Sequence, residues 1–405
     1  MATTLKQSRE QTAPLRQHLG YLDGMRALAA LYVVLHHSYL QISGEALHTS
    51  KWIIRALSVF AHGHSAVDVF IVLSGFCLAL PIVRGDGFLK GGVKTFFWKR
   101  ARRILPPYFF AFALSLLLIY MLIGQKTGTH WDVSLPVTKE AVITHLFLVQ
   151  DLFSQSIFKI NHAFWSISVE WHIYFLFPLL MLLRRRWNSL IVTFIALATS
   201  FVLYDAGRHL HQLNALKNID IFGAAPQYLA LFAIGLLGAD VAFGKSPPLI
   251  FLRQPKFVLT LLAASTVIVA VLMRARIWHG DVMPVQYADV FVGIWAATVM
   301  IAAANTEIGW LNKALSWRPL VAVGTFAYSI YLIHAPLIQV IWQYLLFPLQ
   351  PHPLFRLMTL FVVGTPLIVG ISYLFFLVGE RPFLNTHKRE TFAETERDAA
   401  LSPAP

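Results

Sequence analysis

The chain has 405 residues but only one cysteine, Cys77, and little charge: Asp, Glu, Lys and Arg together make up 13%. Soluble domains carry about 25%. A single cysteine excludes a disulfide framework or a cysteine-built metal site within the chain. Internal repeats, low-complexity stretches and heptad runs are missing too, which argues against solenoids and long coiled coils. Residues 1–20 are polar and hold no apolar core of a secretory signal, so the first hydrophobic helix is expected to direct insertion. Acidic residues are scarce, 20 against 33 basic ones, and the formal net charge is +13. Such an excess on one soluble face would suit nucleic acid. Here the positive charge sits between apolar stretches, so no nucleic-acid partner is expected.

What is present is hydrophobic: 57% of residues, 14% aromatic, with a mean hydropathy of +0.61. A helix needs about 20 apolar residues to span a bilayer. Stretches of that kind lie near 25–42, 66–83, 105–124, 164–183, 189–204, 224–243, 257–273, 287–304, 320–345 and 354–379. They predict an all-α, polytopic transmembrane bundle of about ten helices. Residues 1–20 then form a cytoplasmic N-terminal segment, 21–385 the membrane domain, and 386–405 a disordered cytoplasmic tail. The stretch 141–153 is apolar but short, and reads as a re-entrant or interfacial helix. With the N-terminus inside, roughly 23 of the 33 basic residues fall on the cytoplasmic side, obeying the positive-inside rule. Clusters occur at 84–103 and at Arg184, Arg185 and Arg186. Both termini are then cytoplasmic, and a cell inner membrane is the expected location.

Ionisable groups inside membrane helices are costly and point to function. The first helix carries Arg26, His36 and His37. Arg26 and His37 are eleven residues apart, which is three turns plus about 20°, with a rise of about 16 Å. Both therefore share one face, with Arg26 at the rim and His37 near the midplane, while His36 lies about 80° away. A guanidinium at the rim can hold phosphate, and a deep histidine can act as general base on a hydroxyl. The alternative is that Arg26 snorkels and His37 bonds a neighbouring helix. Ser74, Glu170 and His334 are expected at a similar depth, and Ser166 is the i, i+4 neighbour of Glu170. These too have a plainer reading, as polar glue between helices. Asp240 and Asp289 lie near helix ends and read as interfacial. The stretch 99–108 reads as a cationic loop, either a topology anchor or a phosphate clamp. No metal ligands are assigned.

Six motifs, in order across about residues 20–385, resemble those of the acyltransferase-3 family of bacterial membrane acyltransferases. Tyr21-Leu22-Asp23-Gly24-Met25-Arg26 leads to His37 as an Arg-x10-His pattern. Phe70-Ile71-Val72-Leu73-Ser74-Gly75-Phe76 follows, then Arg100-x-x-Arg103-Ile104-x-Pro106-x-Tyr108. Next come Phe164-Trp165-Ser166-Ile167-Ser168-Val169-Glu170 with Tyr174 and Pro178, then Tyr328-x-x-Tyr331-Leu332-x-His334, and finally Glu380-Arg381-Pro382. Two positions depart: Ala327 stands where serine is common, and Lys99 where arginine is frequent.

The resemblance implies a ten-helix bundle that takes acyl-CoA from the cytoplasm as co-substrate, with no resident cofactor. It implies transfer of an acetyl or other short-chain group to a hydroxyl of a carbohydrate or sugar-bearing acceptor. His37 and Glu170 are then the expected catalytic residues. Arg26, Arg100, Arg103 and Tyr108 would bind the donor, and Ser74, Ser166, Tyr331 and His334 would line the site. Some members carry a C-terminal hydrolase-like domain. About twenty residues follow Pro382 here, so none is expected. Buried Arg, His and Glu also suit proton-coupled transport. Transporters often show inverted repeats and paired broken helices, which are not visible in this sequence.

Overall fold

The computed structural model describes residues 19–42, 50–212, 219–220, 223–279, 285–349 and 352–384. The expected polar tail and nearly all of the N-terminal segment lie outside them. Every regular element among the described residues is helical. The ten main helices are α1 (Gly20–Leu40), α2 (His64–Val83), α3 (Gly92–Leu118), α4 (Trp165–Arg186), α5 (Ser189–Gln212), α6 (Gln227–Phe243), α7 (Pro255–His279), α8 (Val285–Ala304), α9 (Ala327–Ile341) and α10 (Thr365–Phe375).

Among the described residues, eight helical segments are long and apolar enough to cross a membrane. They are α2 with its lead-in from Lys51, α3, α4, α5, α7, α8, α9 and the segment around α10. The remaining two expected spans are special cases. α6 has only 17 residues and is buried on nearly every side, so its apolar content serves contact with protein. α1 carries Asp23, Arg26, His36 and His37, which lower its hydropathy.

Two sequence expectations need correction. α3 begins at Gly92 rather than near 105, so the cations at 99–103 stand on a helix and not in a loop. Nothing between Gly92 and Leu105 breaks a helix, and Pro106 and Pro107 are accommodated inside it. The expected span 320–345 is interrupted: a short helix, Arg318–Thr325, ends before α9 starts at Ala327. Residues 141–153 form a short helix, Lys139–Leu146, and a turn, Gln150–Leu152. His145, Gln150 and Asp151 there are fully buried. Tyr108 Oη donates to the His145 carbonyl at 3.1 Å, and Asn161 Nδ2 to the Leu332 carbonyl at 3.0 Å. The connection between α3 and α4 thus folds back among the helices, where protein partners satisfy its irregular backbone.

Glycines set the closest approaches. A Cβ on Gly75 of α2 would stand 2.0 Å from the Phe232 carbonyl oxygen of α6, and one on Gly235 of α6 would stand 2.0 Å from that of Val72 in α2. The two backbones touch reciprocally, as small residues allow in membrane bundles. Gly324 packs in the same way on the Asp23 carbonyl of α1, which fixes the end of α1 that carries Arg26. Gly235→Val cannot be relieved by a side-chain rotation, because the obstacle is backbone. It should cost about 1–3 kcal/mol, read as a lower melting temperature in detergent. Gly370→Ala has open space around it and should melt like the wild type. Equal melting of both variants would refute the interlock.

Candidate functional site

Two cavities lie along α1. The first, about 130 Å³, is lined by Arg26, Arg100, Arg103, Ser74, Glu170 and Tyr174, among others. Arg26 pairs with Asp23 one turn before it and donates to Cys77 Sγ. Ser74 Oγ lies 2.9 Å from Tyr174 Oη, which donates to Glu170 Oε1 at 2.5 Å. Arg100 Nε is buried and has no hydrogen-bond partner. Three guanidiniums on a narrow slot, one of them unsatisfied, form an anion site in which bidentate phosphate contacts are possible.

The second cavity holds about 450 Å³, within the range of small-ligand sites, and is lined by His36, His37, His64, His130 and His162 with Trp165. Val67 and Tyr331 belong to both cavities, so the two meet there. Tyr331 Oη lies 2.6 Å from Ser166 Oγ, which tethers the tyrosine to α4. Four imidazole rings surround His37: His36, His162 and His334 at centroid distances of 4.8–4.9 Å, and His130 at 6.3 Å.

The hydrogen bonds around His334 assign the tautomers. Its Nδ1 faces two carbonyl oxygens, those of Tyr331 at 2.8 Å and Ile330 at 3.2 Å, so Nδ1 carries the proton. Its Nε2 lies 2.8 Å from His37 Nδ1. With both rings neutral, His334 Nε2 accepts and His37 Nδ1 donates, which leaves the lone pair of His37 on Nε2. A histidine held in that tautomer is arranged as a base. His36 is anchored elsewhere, through Nδ1 to the Phe60 carbonyl at 2.7 Å, although it lines the same cavity.

The folded-back connection supplies the other two rings. His162 sits directly before α4, next to Ile160, which holds a left-handed φ of 68° that a β-branched residue rarely adopts. Its backbone N–H donates to Ser134 Oγ at 3.1 Å, and its Nδ1 lies 2.9 Å from the same oxygen. Burial first, and then the imidazoles of His130, His334 and His36, hold His162 well below the usual imidazole range. Burial lowers His130 as well. The second cavity is walled by imidazole rings, whereas the first is cationic.

The structure separates residues that the sequence groups together. Ser74 and Glu170 were expected at the level of His37, but they line the arginine cavity, and the hydrogen bond of Glu170 goes to Tyr174 rather than to an imidazole. Tyr108 lines neither cavity. It is fully buried and holds the folded-back connection through His145. Arg26, Arg100, Arg103, Ser166 and Tyr331 line the first cavity, and His334 stands behind His37. Asp240 and Asp289, each near a helix end, are buried. Asp240 accepts two hydrogen bonds from Arg184, at 2.6 and 2.5 Å. His130 and His162 escape a sequence reading because they lie in an aperiodic connection. Only the position of His162 just before Phe164-Trp165 hints at it.

The acyltransferase domain family matches residues 19–377. The O-acetyltransferase OatA of Staphylococcus aureus strain NCTC 8325 is 26% identical over 348 residues, covering 81% of this chain and 52% of OatA. A Staphylococcus aureus strain COL protein named "Putative O-acetyltransferase" is 25% identical over 345 residues, covering 80% of this chain and 51% of that protein. The chain thus spans about half the length of the curated relatives it matches. No solved structure matches it. The family match runs from the start of α1 through α10, across both cavities, and the chain is a multi-pass membrane protein of the acyltransferase-3 family.

Proposed function

We propose that this protein moves an acyl group, acetyl or another short chain, from acyl-CoA to a hydroxyl of a carbohydrate or sugar-bearing acceptor. The observation that carries this reading is the His37–His334 pair on a histidine-lined cavity that meets an arginine-lined one at Tyr331. The basic end faces the cytoplasm by the positive-inside rule, in a cell inner membrane, and acyl-CoA enters there. Arg26, Arg100 and Arg103 hold its phosphates. Its thioester reaches the junction at Val67 and Tyr331, and the acceptor occupies the larger cavity.

The reaction follows from the tautomers. His37 Nε2 takes the proton of the acceptor hydroxyl as the oxygen attacks the thioester carbonyl. The tetrahedral carbon collapses, the C–S bond breaks, and the CoA sulfur leaves with the proton from His37. An ester and a free thiol result, and His37 returns to its starting state. The fixed Nδ1–H to His334 keeps Nε2 aimed and steadies the transient imidazolium. Direct transfer is preferred over an acyl-serine intermediate because Ser74 bonds to Tyr174, in the cavity that His37 does not line.

His37→Ala should lower acyl transfer by about 10²–10⁴-fold, with expression and insertion unchanged. His36→Ala should be much milder, because that ring is tied to Phe60. Thiol release from acyl-CoA by purified protein with candidate acceptors measures both, and equal loss would sink the assignment. Arg100→Gln and Arg103→Gln should each raise the donor KM. A charge-assisted contact is worth about 1.5–3 kcal/mol, a change of about tenfold to a hundredfold, while the acceptor KM holds. An unchanged donor KM would return these residues to a purely topological role.

A further inference from the structure

We propose that His64, Asp68 and Asp289 form a binding site for a divalent metal of the zinc class in the wall of the larger cavity. His64 and Asp68 stand one turn apart on one face of α2, and Asp289 reaches them from α8 across 225 positions of sequence. One ligand atom from each lies within 4.8 Å of the others. His64 Nε2 is 3.0 Å from Asp289 Oδ2 and 3.8 Å from Asp68 Oδ1. Zinc bonds of about 2.0–2.2 Å place tetrahedral ligand atoms about 3.4 Å apart, between the two observed separations.

A second observation points to a cation. Asp68 is fully buried, and neither of its carboxylate oxygens has a hydrogen-bond partner. Gln227 Oε1 is buried and unpartnered beside it, while Gln227 Nε2 donates to Asp289 Oδ2 at 3.3 Å. Among the described residues, only His64 stands within ion-pairing distance of either aspartate. A buried carboxylate without a donor is costly. A proton shared between the aspartates, with the Tyr228 hydroxyl turned to Asp68, would still leave Gln227 Oε1 unmatched. A cation held by His64 and the two carboxylates removes the cost of burying their charge. The mixed imidazole and carboxylate set suits zinc or a neighbouring transition metal better than calcium, which takes oxygen ligands. Trp165 and Tyr228 stack on the His64 ring, each at 5.9 Å, and orient it. His64 and Gln227 line the cavity, so the metal would be reached from there and would clamp α2 to α8 beside the acceptor. This site does not depend on the acyl-transfer reading.

The test uses the full chain, purified in detergent, stripped with chelator and titrated with zinc and with cobalt. A single zinc per chain is expected by elemental analysis, together with a cobalt absorption spectrum of nitrogen and carboxylate ligation. His64→Gln, Asp68→Asn and Asp289→Asn should each weaken binding by more than about tenfold. His209→Gln, an exposed histidine outside the cluster, should bind like the wild type and so counts adventitious binding by the 16 histidines. If one variant fails to fold, the other two and the wild-type spectrum still decide. A wild type that takes up neither ion at micromolar concentration overturns the proposal. So do cluster variants that bind as tightly as His209→Gln.

Discussion

The hydrogen bond between His37 and His334 joins α1 to α9 in the wall of the second cavity. It depends on an ordinary property of helices. A carbonyl three or four residues back can accept from a side chain, and His334 uses two of them to fix its Nδ1 proton. Everything the second cavity can do chemically follows from that choice, because it settles which nitrogen of His37 carries a lone pair. The tight seating of α1 is part of the same device. Gly324 closes on the Asp23 carbonyl at one end of α1, and the glycine contacts between α2 and α6 hold the neighbouring helices at backbone distance.

Polarity is sorted along the bundle axis. Cationic side chains gather on one cavity and imidazoles on the other, with a tyrosine tethered to Ser166 between them. Such sorting suits a reaction whose partners differ in charge and enter from opposite ends. It also limits the cost of polar groups in an apolar bundle, since the site's cations and imidazoles face cavities. The folded-back connection between α3 and α4 belongs to this economy. Its buried side-chain amides bond to Tyr108, Ser115 and the α9 backbone, and it closes the second cavity with His130 and His162.

Much of this was legible in the chain itself. Apolar runs of membrane length, scarce charge and the placement of Lys and Arg specify a helical membrane bundle, because a bilayer admits few other solutions. Helical geometry alone puts Arg26 and His37 on one face at different depths. The start of α4 at Trp165 agrees with its expected position, and the ordered motifs identify the family. The extent of α3 was harder to read. Its first turns are polar, and hydropathy registers only the apolar part of a helix.

Depth within a helix is local, since the rise per residue is constant, so the sequence by itself fixes how far along its own helix each polar side chain stands. Which side chains meet is set by rotation and tilt of whole helices, and those answer to packing contacts far apart in sequence. Ser74 and Glu170 show the difference. Their expected depth invited a place beside His37, yet they line the cavity of Arg26 and Arg100. His162 meets His37 only because an aperiodic connection folds into the bundle, and Asp289 meets His64 only because α8 packs against α2. Sequence periodicity carries no information about such encounters. They are decided by backbone close approach and by the need of each buried polar atom for a partner.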